Sequence, residues 1–180
     1  NGFNFKVTYR EDIENLKITL KKKIRVGLGY DIHRIQKIDN ISYIKLGGIK
    51  IKSKIKILSH SDGDVILHAI TDSILGALSL RDIGTYFPNN KLNKNRNSIE
   101  FLKFAIQKLE NRNFGINNID LMIVSETPKI NPYYEKIVNN LTKLLKVDKN
   151  QITIKATTNE KSGLIGKSEF IACWSNISIC

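Results

Sequence analysis

The chain has 180 residues and carries 29 Lys and Arg against 17 Asp and Glu, which gives a formal net charge of +12. This length fits one globular domain, and the lack of any run of about twenty apolar residues excludes a helix that spans a membrane. The lysines are scattered, and Ile, Lys and Asn are abundant throughout, so the charge permits polyanion binding without indicating it. Cys173 and Cys180 lack C-x-x-C spacing and are expected to be free thiols in a reducing compartment.

The first 23 residues differ from the rest because they contain no motif and end in a basic run, Lys21–Lys23. We expect residues 1–23 to form a mobile N-terminal extension and residues 24–180 to form a single domain. The chain begins with Asn1 rather than Met, and with the basic flank this favours the mature form of a protein of a plastid-type organelle. A bacterial cytoplasm is the alternative location.

The first predicted elements of the domain are strands. An apolar, β-branched segment that starts at Ile24 and is interrupted by glycines predicts a strand. Apolar and lysine residues then alternate over Tyr43–Ile57, with Gly47 and Gly48 at a turn, which predicts a hairpin with one solvated face.

A helix is expected to begin at Ser61, with Ser61 or Asp62 as its cap. Its apolar stripe consists of Val65, Ala69, Ile70, Ile74, Ala77 and Leu78. Residues 81–90 break the pattern and are predicted to form a loop. A second helix follows, with Asn97 as cap, Glu100 three residues later and Gly115 after its end.

The C-terminal part alternates strands with one more helix. Strands are predicted over Ile119–Ser125, Ile152–Thr158 and Phe170–Ile179, and a helix is predicted to start with Asn131 as cap and Pro132 in the first turn. Strands that alternate with helices indicate an α/β or α+β fold. We therefore expect a mixed sheet of four to five strands that is covered by helices on one face.

One short region concentrates the residues that bind metals. Asp31 and His33 stand two apart in a predicted strand and project to one face, but this pair alone is a weak signal, for which a solvated turn is the simpler interpretation. His68 lies between Asp64 and Asp72, each four residues away on the same helical stripe. Either acid can accept a hydrogen bond from one ring nitrogen and leave the other for a metal, and a surface helix that solvates its histidine is the alternative.

Taken together, Asp31, His33 and His68 supply one carboxylate and two imidazoles. Three protein ligands with an open fourth position describe a catalytic rather than a structural zinc site. Manganese or cobalt also fits this ligand set.

Two further segments suit phosphate groups. His60 and Ser61 precede the helix, whose exposed N–H groups attract anions. After a later strand, Thr157 and Thr158 supply hydroxyls, and Glu160 is a candidate ligand for Mg²⁺ that bridges a diphosphate. The spacing of a P-loop is absent, and a polar loop is the alternative.

Four stretches occur in the order and spacing of one family: GYDIHRI, LSHSDGDVILHAITDSILGALSLRDIGTYFP, ETPKINP and IKATTNEKSGLIGKSEFIAC. Over residues 25–179 the chain resembles the 2-C-methyl-D-erythritol 2,4-cyclodiphosphate synthases of the non-mevalonate isoprenoid pathway. The resemblance implies a phosphorus–oxygen lyase that cyclises 4-diphosphocytidyl-2-C-methyl-D-erythritol 2-phosphate and releases CMP. It also implies a ferredoxin-like α/β fold and a homotrimer with active sites between subunits and a central cavity that can hold an isoprenoid diphosphate.

The resemblance implies roles for individual residues. The catalytic residues are His60 and Thr158, the zinc-type ligands are Asp31, His33 and His68, and the Mg²⁺ ligand is Glu160. The substrate contacts are Ser61, Asp82, Ile83, Gly84, Phe87, Asn89, Thr127, Pro128, Lys129, Ile130, Asn131, Thr157, Leu164 and Lys167, of which Thr127 to Asn131 form the cytidine pocket. Asp64 and Asp72 are expected to support His68.

Two positions depart from the family pattern. Asn89 stands where the family usually has an acid, so contacts to the erythritol chain are expected to differ. Lys167 replaces the usual arginine, and a lysine lacks the bidentate fork that binds a diphosphate well. Isoprenoid-diphosphate binding is therefore expected to be weak or absent.

Two other classes of protein compete with this interpretation. A basic nucleic-acid-binding domain predicts lysines on one face with interleaved aromatics, and the scattered lysines do not match it. A structural zinc module predicts four ligands, usually with cysteine, whereas Cys173 and Cys180 are remote in sequence from the histidines.

Overall fold

A single five-stranded sheet organises the chain, with the strand order β2-β1-β5-β3-β4. The strands are β1 (Arg25–Leu46), β2 (Ile49–Leu58), β3 (Ile116–Val124), β4 (Ile152–Thr157) and β5 (Phe170–Ile179). The β3–β4 pair is parallel and the other three pairs are antiparallel. The computed structural model describes residues 9–13 and 24–180, so most of the predicted mobile extension, residues 1–23, lies outside the described residues. The mixed α/β sheet confirms the predicted fold class.

The first strand is longer than its sequence pattern indicates. The predicted strand and the first arm of the predicted hairpin form one strand of 22 residues, with a register shift between Lys37 and Ser42 where it pairs with β2. Residues 38–41 in its middle have no paired partner on β2, and they lack the alternation of buried side chains that predicts a strand. The turn between the two strands contains Gly47 and Gly48, both at positive φ as a tight turn requires.

Five α-helical segments lie within residues 24–180: α1 (Val65–Ala77), α2 (Ile83–Tyr86), α3 (Ser98–Glu110), α4 (Tyr134–Leu145) and α5 (Gly163–Gly166). Asn97 caps α3 as predicted, since its side chain accepts the N–H of Ile99. The predicted caps of α1, Ser61 or Asp62, are wrong, because the carboxylate of Asp64 accepts the N–H of Leu67.

Two other helix boundaries differ from their predictions. The segment predicted as a loop contains α2, whose first N–H, that of Ile83, donates to the carboxylate of Asp72 at 2.8 Å. The predicted cap Asn131 and Pro132 instead form a 3-10 turn, and α4 begins after Tyr133. At α2, a contact with a residue of the preceding helix thus determines where the helix starts.

Helix α1 is buried on almost every side between the sheet and α3. The predicted apolar stripe is buried, but so are Ile66, Leu67, Thr71 and Ser73, which lie outside that stripe. The amphipathic interpretation of this helix was therefore wrong. A helix that is buried all round belongs to the core of the domain, and this one forms the centre of the apolar core.

The closest contact in the core joins α1 to β1 at two glycines. A Cβ at Gly27 would lie 1.9 Å from the carbonyl oxygen of Ser73, and a Cβ at Gly29 would lie 1.9 Å from the carbonyl oxygen of Ala69. Any other residue would force the helix away from the strand. The glycines therefore set the distance between α1 and the face of β1 that also carries Asp31 and His33.

The opposite face of β1 carries apolar side chains that no helix covers within the described part of the chain. They are Val26, Leu28, Tyr30 and Ile32, which are 37–65% exposed. The ring of Trp174 on β5 lies 4.7 Å from that of Tyr30 and continues the same surface. The helices therefore cover one face of the sheet, as predicted. No described helix is long and apolar enough to cross a membrane.

Replacing Gly29 tests this close packing. We expect Gly29→Ala to lower the free energy of unfolding by about 3 kcal/mol, because its Cβ has no space against the α1 backbone. Denaturant unfolding at one fixed protein concentration measures the effect. Gly76→Ala is the matched control, since Gly76 is an exposed residue of α1 and its Cβ would meet no atom closer than 3.6 Å. Equal losses in the two variants would contradict the prediction.

Candidate functional site

Asp31, His33 and His68 meet at one point between β1 and α1. Asp31 Oδ2 lies 2.7 Å from His68 Nδ1 and 3.1 Å from His33 Nε2, and the two nitrogens are 3.3 Å apart. A tetrahedral ion at about 2.0–2.1 Å from its ligands separates the ligand atoms by about 3.3 Å. The three atoms thus fit one divalent cation with little rearrangement.

The charges of the three groups support each other. Burial alone would raise the pKa of Asp31, but the hydrogen bonds from His33 and His68 outweigh it, and the pKa lies well below its ordinary value. Burial alone would lower the pKa of His68, but the hydrogen bond to Asp31 outweighs it and the pKa is raised. A proton on His68 and a divalent cation therefore compete for the same carboxylate-facing nitrogen.

The predicted support of His68 by two flanking acids is corrected by the structure. Asp64 uses its carboxylate on the backbone N–H groups of Leu67, Gly47 and Gly48, and Asp72 uses its own on Ile83. Asp64 thus fixes the β1–β2 turn onto the start of α1. Both acids act on the ring of His68 only through their charge.

Ser98, which belongs to no motif of the sequence, contacts the ring instead. Its Oγ lies 2.9 Å from His68 Nε2, and its hydroxyl also makes a short hydrogen bond with Asp62. Asp62 further accepts from Lys45 Nζ at 2.9 Å and from the N–H of Ser98 at 3.2 Å. Burial by itself raises the pKa of Asp62, but the hydrogen bonds from Ser98 and Lys45 outweigh it, so the pKa is lowered.

A cavity of about 200 Å³ adjoins the cluster. It brings together eight predicted site residues and two that were not predicted. The predicted ones are His33, His60, Ser61, His68, Ile83, Gly84, Phe87 and Asn89, and the others are Asn93 and Phe101. His60 donates from Nε2 to the carbonyl oxygen of Asn90 at 2.9 Å, which orients its ring. Asn93 and Phe101 follow no recognisable motif, so only the folded chain identifies them.

A second cavity, of about 380 Å³, joins the predicted cytidine pocket to the predicted phosphate threonines. It is lined by Ser125, Lys129, Ile130, Asn131, Pro132, Ala156, Thr157 and Thr158. The peptide bond between Thr127 and Pro128 is cis, and Ser125 Oγ donates to the carbonyl oxygen of Thr127 at 2.8 Å. Two segments that are remote in sequence thus form one concave surface.

Glu160 is held close to the threonines by local bonds. Thr158 Oγ1 donates to Glu160 Oε1 at 2.6 Å, and Glu160 and Lys161 both have positive φ. Glu126 accepts the N–H groups of Asn159 and Lys161, at 3.0 and 3.3 Å, and so fixes the loop from outside. A single exposed carboxylate beside hydroxyls suits Mg²⁺ that is bound mainly through substrate phosphates.

The remaining predicted contacts lie on the surface. Asp82 precedes α2 and accepts from Thr85 Oγ1 at 2.6 Å. Leu164 is 53% exposed in α5, and Lys167 is exposed at the end of that helix. None of the three lines either of the two cavities. Their predicted contacts with the substrate therefore stay predictions.

The fold and the site define a class of protein. A mixed α/β sheet carries a cluster of three candidate ligands beside a cavity, and no cysteine belongs to this cluster. Burial raises the pKa of Cys173, which is a neutral core thiol. This is the arrangement of an α/β enzyme with a candidate metal site rather than of a structural zinc module.

Comparison with known proteins identifies the family. Residues 24–180 match the sequence model of the YgbB family, and the chain belongs to that family. The "Bifunctional enzyme IspD/IspF" of Wolbachia pipientis wMel is 45% identical over 178 residues, which cover 97% of this chain and 45% of that protein. The "2-C-methyl-D-erythritol 2,4-cyclodiphosphate synthase, apicoplast" of Plasmodium falciparum isolate 3D7 is 40% identical over 185 residues, which cover 93% and 77%.

One solved structure is similar to this chain in both fold and sequence. The structure titled "IspF (Plasmodium falciparum) CDP complex" has a TM-score of 0.77 and 43% identity, and covers 87% of this chain and 95% of that one. The resemblance to the cyclodiphosphate synthases is confirmed, and the nucleic-acid-binding alternative is not supported. The chain spans less than half the length of the bifunctional relatives, 45% and 44%.

Asp62 is expected to contribute a pH-dependent part of the stability. Since its pKa in the folded chain is below the value of about 4 in unfolded chains, its stabilisation is complete above pH 4 and is lost as the pH falls through the folded pKa. We expect Asp62→Asn to lower the free energy of unfolding by about 2 kcal/mol at neutral pH and by less near pH 3. Urea unfolding at both pH values measures this.

The exposed residue Asp39 provides the control for this measurement, because Asp39→Asn removes an acid from the same domain without breaking a buried network. A loss caused by Asp62→Asn that is as large near pH 3 as at neutral pH would show that its charge is not involved.

Proposed function

We propose that this chain is a phosphorus–oxygen lyase that converts 4-diphosphocytidyl-2-C-methyl-D-erythritol 2-phosphate into 2-C-methyl-D-erythritol 2,4-cyclodiphosphate and CMP, in isoprenoid precursor synthesis. An oxygen of the substrate's 2-phosphate bonds to the β-phosphorus, and the bond from that phosphorus to the oxygen of the departing CMP breaks. The observation that carries the proposal is the convergence of Asp31, His33 and His68 beside the cavity that contains His60 and Ser61.

Two cations are proposed. Asp31, His33 and His68 would hold a zinc-type ion, for which manganese or cobalt could substitute, and Glu160 would hold Mg²⁺. When bound, these cations supply charge neutralisation for the phosphate oxygens. The donor set supports a divalent ion, because one carboxylate and two neutral imidazoles leave it a net positive charge with which to attract phosphate.

The protein's own groups bind and orient the substrate. His60 and Thr158 would donate to the oxygens that gain charge as the phosphoryl group is transferred. Lys129 and the backbone groups of the second cavity would hold the cytidine, and the first cavity would hold the methylerythritol phosphate. Since the nucleophile belongs to the substrate, no activated serine or cysteine is required, and positioning supplies most of the advantage.

Asn89 is compatible with binding of the methylerythritol phosphate in the first cavity, although it replaces an acid. It lines the first cavity although the family usually has an acid at this position. An amide can donate to a hydroxyl of the erythritol chain as well as accept from it. The cation sites do not depend on this residue.

A homotrimer is proposed because, within one subunit, the proposed zinc ligands lie far from the threonines proposed to bind phosphate. Asp31 and His33 lie on β1 and Thr157 ends β4, and these strands are three positions apart in the sheet, about 14 Å. Adjacent phosphates of one diphosphate cannot reach both at once, so neighbouring subunits would supply the two halves. The exposed apolar face of β1 supports such an assembly, since patches of this kind mark interfaces.

The structure titled as a CDP complex supports a cytidine nucleotide as ligand, and the apicoplast relative supports a plastid-type organelle as the location. Bacterial relatives make a bacterial cytoplasm the alternative. The axis of the proposed trimer would enclose a cavity for an isoprenoid diphosphate, next to which Lys167 would stand.

Incubation with the diphosphocytidyl substrate, Mg²⁺ and Zn²⁺ tests the function, and phosphorus NMR should detect CMP and a cyclic diphosphate. We expect Asp31→Asn to lower kcat/KM by roughly 10³-fold, because the loss of a cation ligand removes several kcal/mol of stabilisation. Asp39→Asn, on the same strand, is the control and should leave the rate unchanged. A rate that survives both Asp31→Asn and removal of metal by a chelator would refute the proposal.

Titration with geranyl diphosphate tests Lys167. We expect a dissociation constant weaker than micromolar, because a lysine offers a point charge without a bidentate fork. Lys167→Ala should weaken binding about tenfold further and Lys167→Arg should strengthen it, whereas Lys136→Ala on α4 should have no effect. Micromolar or tighter binding that Lys167→Ala leaves intact would contradict the role of Lys167.

A further inference from the structure

A line of hydrogen-bonded side chains leads from the cluster of Asp31, His33 and His68 into the protein. Ser98 is fully buried, and its Oγ lies 2.9 Å from His68 Nε2 and makes a short bond to Asp62 Oδ1. Ser61 Oγ lies farther from the same nitrogen, at 3.3 Å. The ring of His68 is thus held on one side by Ser98 and faces Asp31 and His33 with the other nitrogen.

Counting protons along this line fixes the direction of each bond. Asp62 is a carboxylate that is surrounded by donors, namely Lys45 Nζ, the N–H of Ser98 and the hydroxyl of Ser98, so it only accepts. A serine hydroxyl has one proton, and in Ser98 that proton points to Asp62. Towards His68 the oxygen can then only accept, and Nε2 must carry the hydrogen.

We infer that Ser98, oriented by Asp62, is a positioning residue that keeps the hydrogen of His68 on Nε2 and the lone pair of Nδ1 directed at the cation. The inference rests on the proposed metal site but not on the substrate. Groups of this kind around metal-binding histidines typically contribute about 10–100-fold to metal affinity.

The hydroxyl of Ser98 is not needed to start α3. The side chain of Asn97 caps that helix, and the backbone N–H of Ser98 already donates to Asp62. Replacement by alanine leaves both of these bonds in place. It removes the hydroxyl's contacts with the ring and with Asp62, and Asp62 keeps Lys45 Nζ and the backbone N–H of residue 98 as donors. A purely structural role would therefore not predict a change in how the chain binds metal.

The test uses Zn²⁺ alone and the full chain, without substrate. Competition with a chromophoric chelator gives the zinc affinity of the wild type, of Ser98→Ala and of Ser98→Thr, and proton NMR of the zinc-loaded chain detects the Nε2 hydrogen of His68. Ser175→Ala is the matched control, because it also removes a fully buried serine hydroxyl, which bonds Ser73 rather than the ring.

We expect Ser98→Ala to bind zinc 10–100-fold more weakly, Ser98→Thr to recover part of that loss, and Ser175→Ala to bind as the wild type does. The Nε2 hydrogen should be protected from solvent exchange in the wild type and should exchange rapidly in Ser98→Ala. If Ser98→Ala does not fold, the wild-type spectrum still decides, since an absent or rapidly exchanging Nε2 hydrogen overturns the inference. Unchanged zinc affinity in a folded Ser98→Ala also overturns the inference about Ser98 but does not affect the proposed function. A wild-type chain that binds no zinc would instead contradict the proposed metal site.

Discussion

The close contact between α1 and β1 is the constraint on which the rest of the structure depends. Backbone carbonyl groups of the helix lie where the Cβ atoms of Gly27 and Gly29 would be, so strand and helix approach more closely than side chains permit. Asp31 and His33 continue the same face of the strand, and His68 projects from the helix towards them. The geometry of the cluster of Asp31, His33 and His68 is therefore a consequence of backbone packing.

Buried acids hold the segments around this helix in place. Asp64 binds the turn at Gly47 and Gly48 at 2.8 and 2.6 Å, and Asp72 binds the start of α2. A buried carboxylate is costly unless it accepts several hydrogen bonds, and Asp64 accepts three from backbone N–H groups. These bonds attach the long β1–β2 hairpin to the start of α1 and the short helix α2 to the middle of α1.

The proposed chemistry agrees with this distribution of charge. A reaction that brings one phosphate against another must overcome Coulomb repulsion, which is strongest where water is excluded. The cluster combines one carboxylate with two imidazoles, so a bound cation keeps positive charge for the phosphates. The two cavities contribute hydroxyls, amides and a lysine and contain no further acid, and Glu160 is the carboxylate that we propose to face phosphate through a cation.

Local sequence patterns determined the α/β class, the cap of α3 and the span of β5, because these depend on alternation and capping within a few residues. The family motifs also identified the residues of the cluster and most of those that line the two cavities. Only the tertiary structure decided that α1 is buried all round and that Asp64 binds a turn rather than His68. It alone revealed Ser98 at the ring, because a contact across 30 residues leaves no periodic signal in the chain.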